Sequence, residues 1–172
     1  VEGGEMFEEW DCYQQPVGIH YNPCDDFIAT WALPLENPLD YCMHGNRRHQ
    51  EKEWLDFQWA QTGHGGLHLY HKVELMYENK PSKAVANAEP TYEGMNNGMH
   101  GLGWWQGEDA WNQLMHGGTM GIIYGAAGVW QWKITPNETG WEEWADNAMG
   151  WKQGLNQKGS EYVGLLGKIL NP

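Results

Sequence analysis

The chain has 172 residues, 41% of them hydrophobic and 13% aromatic, which suits one packed domain and excludes a disordered or low-complexity segment. Against 10 basic side chains stand 23 acidic ones, a formal charge of −13, and that field repels nucleic-acid phosphates and anionic lipid surfaces. The longest apolar run, Met120 to Trp132, is broken by Gly121, Gly125 and Gly128 and falls short of the roughly 20 residues a membrane-spanning helix needs.

In chain order, a strand is expected over Val1 to Gly4, followed by a helical segment, Met6 to Gln15, with Phe7, Trp10 and Tyr13 at three-residue spacing before Pro16. Phe27 to Trp31 reads as a second strand closed by Pro34, and Leu35 to Glu53 as a long loop holding Pro38, Gly45 and much of the basic charge. Trp54 to Ala60 is a third strand, ended by Thr62-Gly63-His64-Gly65-Gly66. Leu67 to Glu78 has a helical pattern that Asn79-Lys80-Pro81 stops. Lys83 to Ala88 is a fourth strand, which delivers Glu89-Pro90 into a loop from Glu93 to Gly107. The helix expected over Glu108 to His116 carries its acids in the first turn, where the helix dipole favours them. Met120 to Trp132 is a glycine-rich fifth strand. Trp141 to Trp151 and Glu161 to Leu170 are two closing helices, the first with Trp141, Trp144 and Trp151 as its buried stripe.

Strands alternating with helices are the pattern of an α/β chain whose parallel strands are joined by crossover helices. A complete (β/α)8 barrel takes roughly 250 residues. This chain, read as a single domain over 1–172, supplies about five of the eight strands of a TIM-type barrel, and self-association or a missing N-terminal segment would complete it.

In such barrels the reacting groups stand where strands end and loops begin, on the carboxyl side. That rule selects Glu5, Gln61, His64, Asn87, Glu89, Trp130 and Trp132. Two carboxylates on different strands are what glycoside hydrolysis requires, one to protonate the leaving oxygen and one to attack or to activate water. Indole faces pack on the C–H faces of sugars, and His, Asn and Gln serve hydroxyls. Each residue also has a plainer reading. Glu89 as a cap on the following loop, Glu5 as part of a solvated acidic helix start with Glu2, Glu8 and Glu9, and the tryptophans as core filling are the alternatives. Glu93 is the nearest rival carboxylate, shaping the loop or binding a hydroxyl.

Other chemistries find little support. Cys12, Cys24 and Cys42 are odd in number and lack CxxC spacing, so neither a zinc knuckle nor a disulfide framework is indicated. His64, His68 and His71 have the spacing of one helical face, but no carboxylate or thiolate completes a metal set. No P-loop, GxGxxG, GxSxG or HExxH occurs. No metal and no cofactor are expected.

Three segments carry a family resemblance: Trp54 to His64 (WLDFQWAQTGH), Lys83 to Gly94 (KAVANAEPTYEG) and Gly117 to Trp132 (GGTMGIIYGAAGVWQW). They resemble the LDF-x-x-x-QSGH, KPV-x-N-x-EP-x-YE and G-x-x-G-x-x-YG-x-x-GIW strands of the apiosidase-like glycoside hydrolases, the last three of that family's (β/α)8 barrel. Trp141 to Leu170 is similar to its closing helices. The resemblance implies that strands 4 to 8 are present, with Val1-Glu2-Gly3-Gly4-Glu5 similar to the strand-four G-G-[DE]. The family's His-Pro after strand five is altered, around Trp31-Ala32-Leu33-Pro34.

By that resemblance Glu89 takes the nucleophile position and Glu5 the acid/base position, with His64, Gln61, Asn87, Tyr92, Glu93, Trp130 and Trp132 around the substrate. The implied protein is a bacterial, secreted or periplasmic retaining glycosidase acting on plant-type or other complex polysaccharide or its side chains. A catalytically silent carbohydrate-binding or assembly subunit that keeps the aromatic cleft is the alternative. The separation of Glu5 and Glu89 discriminates them, since a retaining pair stands about 5–5.5 Å apart.

Overall fold

The computed structural model describes residues 2–20, 47–64, 66, 68–95, 101–138 and 149–171. In chain order they form helix α1 (Glu2–Trp10), strand β1 (Gly18–His20), helix α2 (Arg47–Gln50), strand β2 (Phe57–Gln61), helix α3 (Tyr70–Tyr77), strand β3 (Ala84–Glu89), helix α4 (Trp104–Met115), strand β4 (Gly121–Ile122), helix α5 (Trp151–Gly154) and helix α6 (Gly159–Leu170). The strands make one sheet in the order β1-β2-β3-β4, every neighbouring pair parallel. Parallel neighbours need crossovers, and α3 and α4 supply two of them.

The pleat of the sheet separates two faces. Gln58 pairs with Val85 and Ala60 with Asn87, so these four share one face. Helix α3 covers it: Val73 and Met76 close on Ala60 and Val85 as one buried cluster. Val73, Met76 and Val85 each contribute about 1.5–3 kcal/mol when fully buried. Beyond α3, helix α4 packs on α6 so closely that a Cβ on Gly107 would lie 2.7 Å from the Cβ of Tyr162. Met95 and Ala127 form a second cluster, with Tyr92 and Trp130 packed against it.

Several expectations change. Residues 2–10 are a helix, not the start of a strand. Its seat explains the reversal, because Gly4 lies flat on the indole of Trp54, where an added Cβ would come within 2.3 Å of the ring. Strand β1 has no counterpart among the expected elements, since three residues are too few for a period to show. Helix α4 begins at Trp104, which moves Glu108 and Asp109 out of the first turn. After Ile122 the expected fifth strand gives way to turns, with Gly128 at φ 83° and Trp132 at φ 57°. The strand expected over Phe27–Trp31 lies outside the described residues, as do Trp141 and Trp144. Among the described residues no helix is long and apolar enough to cross a membrane.

Candidate active site

The site grows from an irregularity between β2 and β3. Ala60 stands opposite Asn87, but Gln61 stands opposite Glu89, so Ala88 has no counterpart. One extra residue reverses the parity of the pleat. Asn87 therefore points with Ala60 toward the helix layer, and Glu89 turns to the other face with Gln61, Trp59 and His20. The register of β1 fixes His20 beside Trp59.

On that face Glu89 meets two imidazoles. Its Oε1 is 2.7 Å from Nε2 of His64 and its Oε2 is 3.0 Å from Nε2 of His20. The His64 hydrogen bond leads in holding the carboxyl below its ordinary range, against burial that raises it, with the charges of His64 and His20 and a Gln61 hydrogen bond assisting. Glu89 is thus ionised in the form a nucleophile or charge stabiliser needs. The ring of Tyr92 lies 4.6 Å from that of His64, and burial, then the charge of Glu89, pushes its phenol up to about 12. Tyr92 is accordingly a neutral O–H donor. His20 meets the indole of Trp59 edge-on at 6.1 Å.

Short-range bonds hold the loops that carry these groups. The amides of Thr62 and Gly63 donate to the carbonyl of Glu89 at 3.2 and 3.4 Å. Thr91 Oγ1 donates to the carbonyl of Gly63 at 3.0 Å and accepts from the amide of Gly66 at 3.2 Å. Gln106 Nε2 clamps the carbonyls of Thr91 and Gly101 from α4 at 2.8 and 2.7 Å. His64 is thereby fixed over Glu89 on both flanks.

Four of the expected site residues stand elsewhere. Glu5 lies on exposed α1 with its carboxylate 3.8 Å from Nζ of Lys52. Lys52 precedes β2, at the amino end of the sheet, whereas Glu89 sits at the carboxyl end, and the five residues of β2 alone span about 13 Å. The structure therefore does not bring Glu5 to Glu89. Asn87 is fully buried and its Nδ2 donates to Thr62 Oγ1 at 3.2 Å, away from the open face.

Glu93 is also buried, with both carboxylate oxygens occupied: Oε1 accepts from the amide of Gly103 at 2.8 Å, and Oε2 accepts from the Tyr124 hydroxyl at 2.6 Å and the amide of Gly159 at 2.8 Å. It ties three loops together rather than facing a ligand. Burial and the Glu93 carboxylate push the Tyr124 phenol well above its ordinary range, so its proton stays in that bond. Trp130 and Trp132 do not share a strand face. Trp130 is half-buried beside Tyr92, and the two line a pocket of about 380 Å³ with Tyr124, Val129 and Leu155; Trp132 is 86% exposed.

The histidines of the 64–71 stretch diverge. His68 stacks on Trp105 at 4.4 Å and places Nδ1 3.0 Å from Oδ1 of Asp109, while His64 holds Glu89. Among the described residues no group of three or more His, Cys, Asp or Glu could hold a metal ion. Sequence reasoning missed His20 and Trp59. The available signal for His20 was an apolar Val17 and Ile19 leading to a histidine three residues before Pro23.

Residues 2–172 match the family described as apiosidase-like, catalytic domain. A solved structure described as a glycoside hydrolase is similar at a TM-score of 0.58 and 25% identity, covering 69% of this chain and 31% of its own. A second, a glycoside hydrolase family 5 structure from Bacteroides vulgatus, is similar at a TM-score of 0.58 and 22% identity, covering 70% of this chain and 30% of its own. No curated protein matches the chain. The chain thus spans about a third of the length of these two structures. Its parallel α/β sheet corresponds to part of their fold, and the chain belongs to the apiosidase-like catalytic-domain family.

Proposed function

We propose that this chain forms part of a (β/α)8 glycoside hydrolase, contributing strands from the 4-to-8 half, and that Glu89 is its nucleophile. The substrate we propose is a plant-type or other complex polysaccharide or its side chains, met by a secreted or periplasmic enzyme. The observation that supports this reading most is a carboxylate at the carboxyl end of a barrel-type strand, turned to the open face and kept ionised by His64 and His20.

In the reaction we propose, an oxygen of Glu89 attacks the anomeric carbon as the glycosidic bond breaks, and the leaving oxygen takes a proton from an acid carboxyl supplied by another part of the barrel. A covalent glycosyl-enzyme forms; water then attacks the same carbon, the Glu89 oxygen leaves, and the proton of that water returns to the acid carboxyl, with net retention. In this reading Gln61, His20 and the neutral Tyr92 hydroxyl bind sugar hydroxyls, and Trp59 and Trp130 pack on C–H faces. Among the described residues the ionic partners of Glu89 are two histidines, and no second carboxylate reaches it. Glu5 is therefore not part of the mechanism proposed.

A carbohydrate-binding subunit without hydrolysis is the second reading, favoured by the placement of Glu5 at the opposite end of the sheet. The two are separated by turnover of 4-nitrophenyl glycosides by wild type and Glu89→Gln. Loss on the order of 10³-fold, about 4 kcal/mol of transition-state stabilisation, is expected for the variant. Equal rates refute the assignment of Glu89, and binding with no turnover by wild type establishes the second reading. Proton NMR of the first-formed sugar reads retention or inversion directly.

A further inference from the structure

Residues 123–138 follow the carboxyl end of β4, and the pairing of Ala126 with Glu93 and the seat of Gly125 on the Tyr92 ring place the start of this loop at the same end of the sheet as Glu89. Helix α5 packs against this loop, the amide of Trp151 donating to the carbonyl of Lys133 at 2.7 Å. At its turn Trp132 has φ 57°, a left-handed backbone that aromatic residues rarely adopt, and its indole is almost wholly exposed. A strained backbone that holds a large apolar ring in water contributes nothing to the core. Such strain points to a role in recognition.

Trp132 and Trp151, with Val129, Ile134 and Leu155, line a pocket of about 320 Å³. Val129 and Leu155 also line the inner pocket of about 380 Å³, whose wall includes Tyr92. Tyr92 in turn lies on His64, the partner of Glu89. Shared walls thus connect the carboxylate to the outer indoles, and each pocket falls within the size range of ligand sites.

We infer that the outer pocket is a remote sugar subsite, taking the C–H face of a pyranose ring several units away from the bond cleaved; this rests on the carbohydrate reading of the Glu89 site. Two indoles and three aliphatic side chains offer flat apolar surface, which suits a ring face. Beside the pocket Nζ of Lys152 lies over the Trp151 ring, 5.6 Å from its centre, a cation that would favour hydroxyl or carboxylate substituents on the sugar. A subsite at that remove makes the substrate an extended chain rather than a single glycoside.

Trp132→Gly tests this, because glycine accepts the positive φ and relieves the strain. Its melting temperature should equal or exceed that of wild type. Two readouts are compared: migration in native gels cast with soluble pectin, arabinoxylan or xyloglucan, and the ratio of kcat/KM on the retarding polymer to that on a 4-nitrophenyl monosaccharide. Wild type should be retarded by at least one polymer, Trp132→Gly should lose that retardation, and the ratio should fall about tenfold. Unchanged retardation or an unchanged ratio overturns the subsite, as does a wild type that no polymer retards. Glu89→Gln should keep its retardation while losing turnover. If wild type is retarded through Trp132 yet hydrolyses nothing, the subsite stands and the hydrolase reading falls. A dimer of wild type that Trp132→Gly converts to monomer, with retardation unaltered, assigns the patch to a second copy and overturns the proposal.

Discussion

Glu93→Gln is expected to damage the fold rather than the chemistry. The carboxylate accepts from the Gly103 amide on one oxygen and from the Tyr124 hydroxyl and the Gly159 amide on the other. A glutamine has one acceptor oxygen. With that oxygen toward Gly103, its amino group confronts Tyr124 and Gly159; the hydroxyl can rotate and accept instead, but the Gly159 N–H cannot. With the amide flipped, the Gly103 N–H loses its acceptor. Either way one N–H is stranded, at about 1–3 kcal/mol. Losing the charge-assisted character of the other bonds adds roughly 1 kcal/mol, for a total of about 2–4 kcal/mol. Domains have only about 5–15 kcal/mol in all. Urea unfolding followed through the 12 tryptophans reads this directly. For a slope near 2 kcal/mol/M the midpoint should drop by about 1–2 M with the slope unchanged. A Glu93→Gln protein with the wild-type midpoint and lost turnover would refute the reasoning and return Glu93 to the substrate.

Three further outcomes follow from the same geometry. Glu89 has a carboxyl held below its ordinary value of 4.5, so its ionised form contributes stability above that value which is lost as pH falls through the lowered one; thermal melts between pH 7 and 3 should be steeper on the acid side for wild type than for Glu89→Gln. His64→Ala removes the largest cause of that lowering, so the acid limb of the pH–rate profile should move to higher pH, and His20→Ala, which removes a weaker Coulombic contribution, should move it less. Glu5→Gln breaks a long, exposed contact with Lys52, so stability should change by less than about 0.5 kcal/mol with turnover retained, and loss of turnover would place Glu5 back in the site.

The parts of the fold legible in sequence are those with local periodicity and punctuation. Strand β3 spans Ala84–Glu89 where Lys83 to Ala88 was expected, because small and branched residues there suit a strand buried on both faces. The rule of carboxyl ends then locates Glu89 and His64 together. What escaped depends on distant chain. Nothing within residues 2–10 shows that Gly4 will rest on Trp54, and without that seat the glycine-rich start reads as extended. Nothing near Glu93 shows that Gly103, Tyr124 and Gly159 will converge on it. The rule of carboxyl ends also selects Asn87 beside Glu89, and nothing in the local sequence shows that Ala88 will be unmatched and turn the two to opposite faces.

That unmatched alanine carries information of an unusual kind. Pairing Ala88 with Gln61 in an unbroken register would leave every chemically reactive side chain of the segment in place and the composition of the strand unaltered. Glu89 would nevertheless rotate into the helix layer with Asn87, out of reach of His20. The orientation of the reactive group thus depends on where the pairing slips, not only on which residues the strand contains. Deleting Ala88, by the same count, would set Glu89 directly after Asn87 and still opposite Gln61, turned to the open face. The segment therefore tolerates the loss of that alanine better than the loss of the slip that accommodates it.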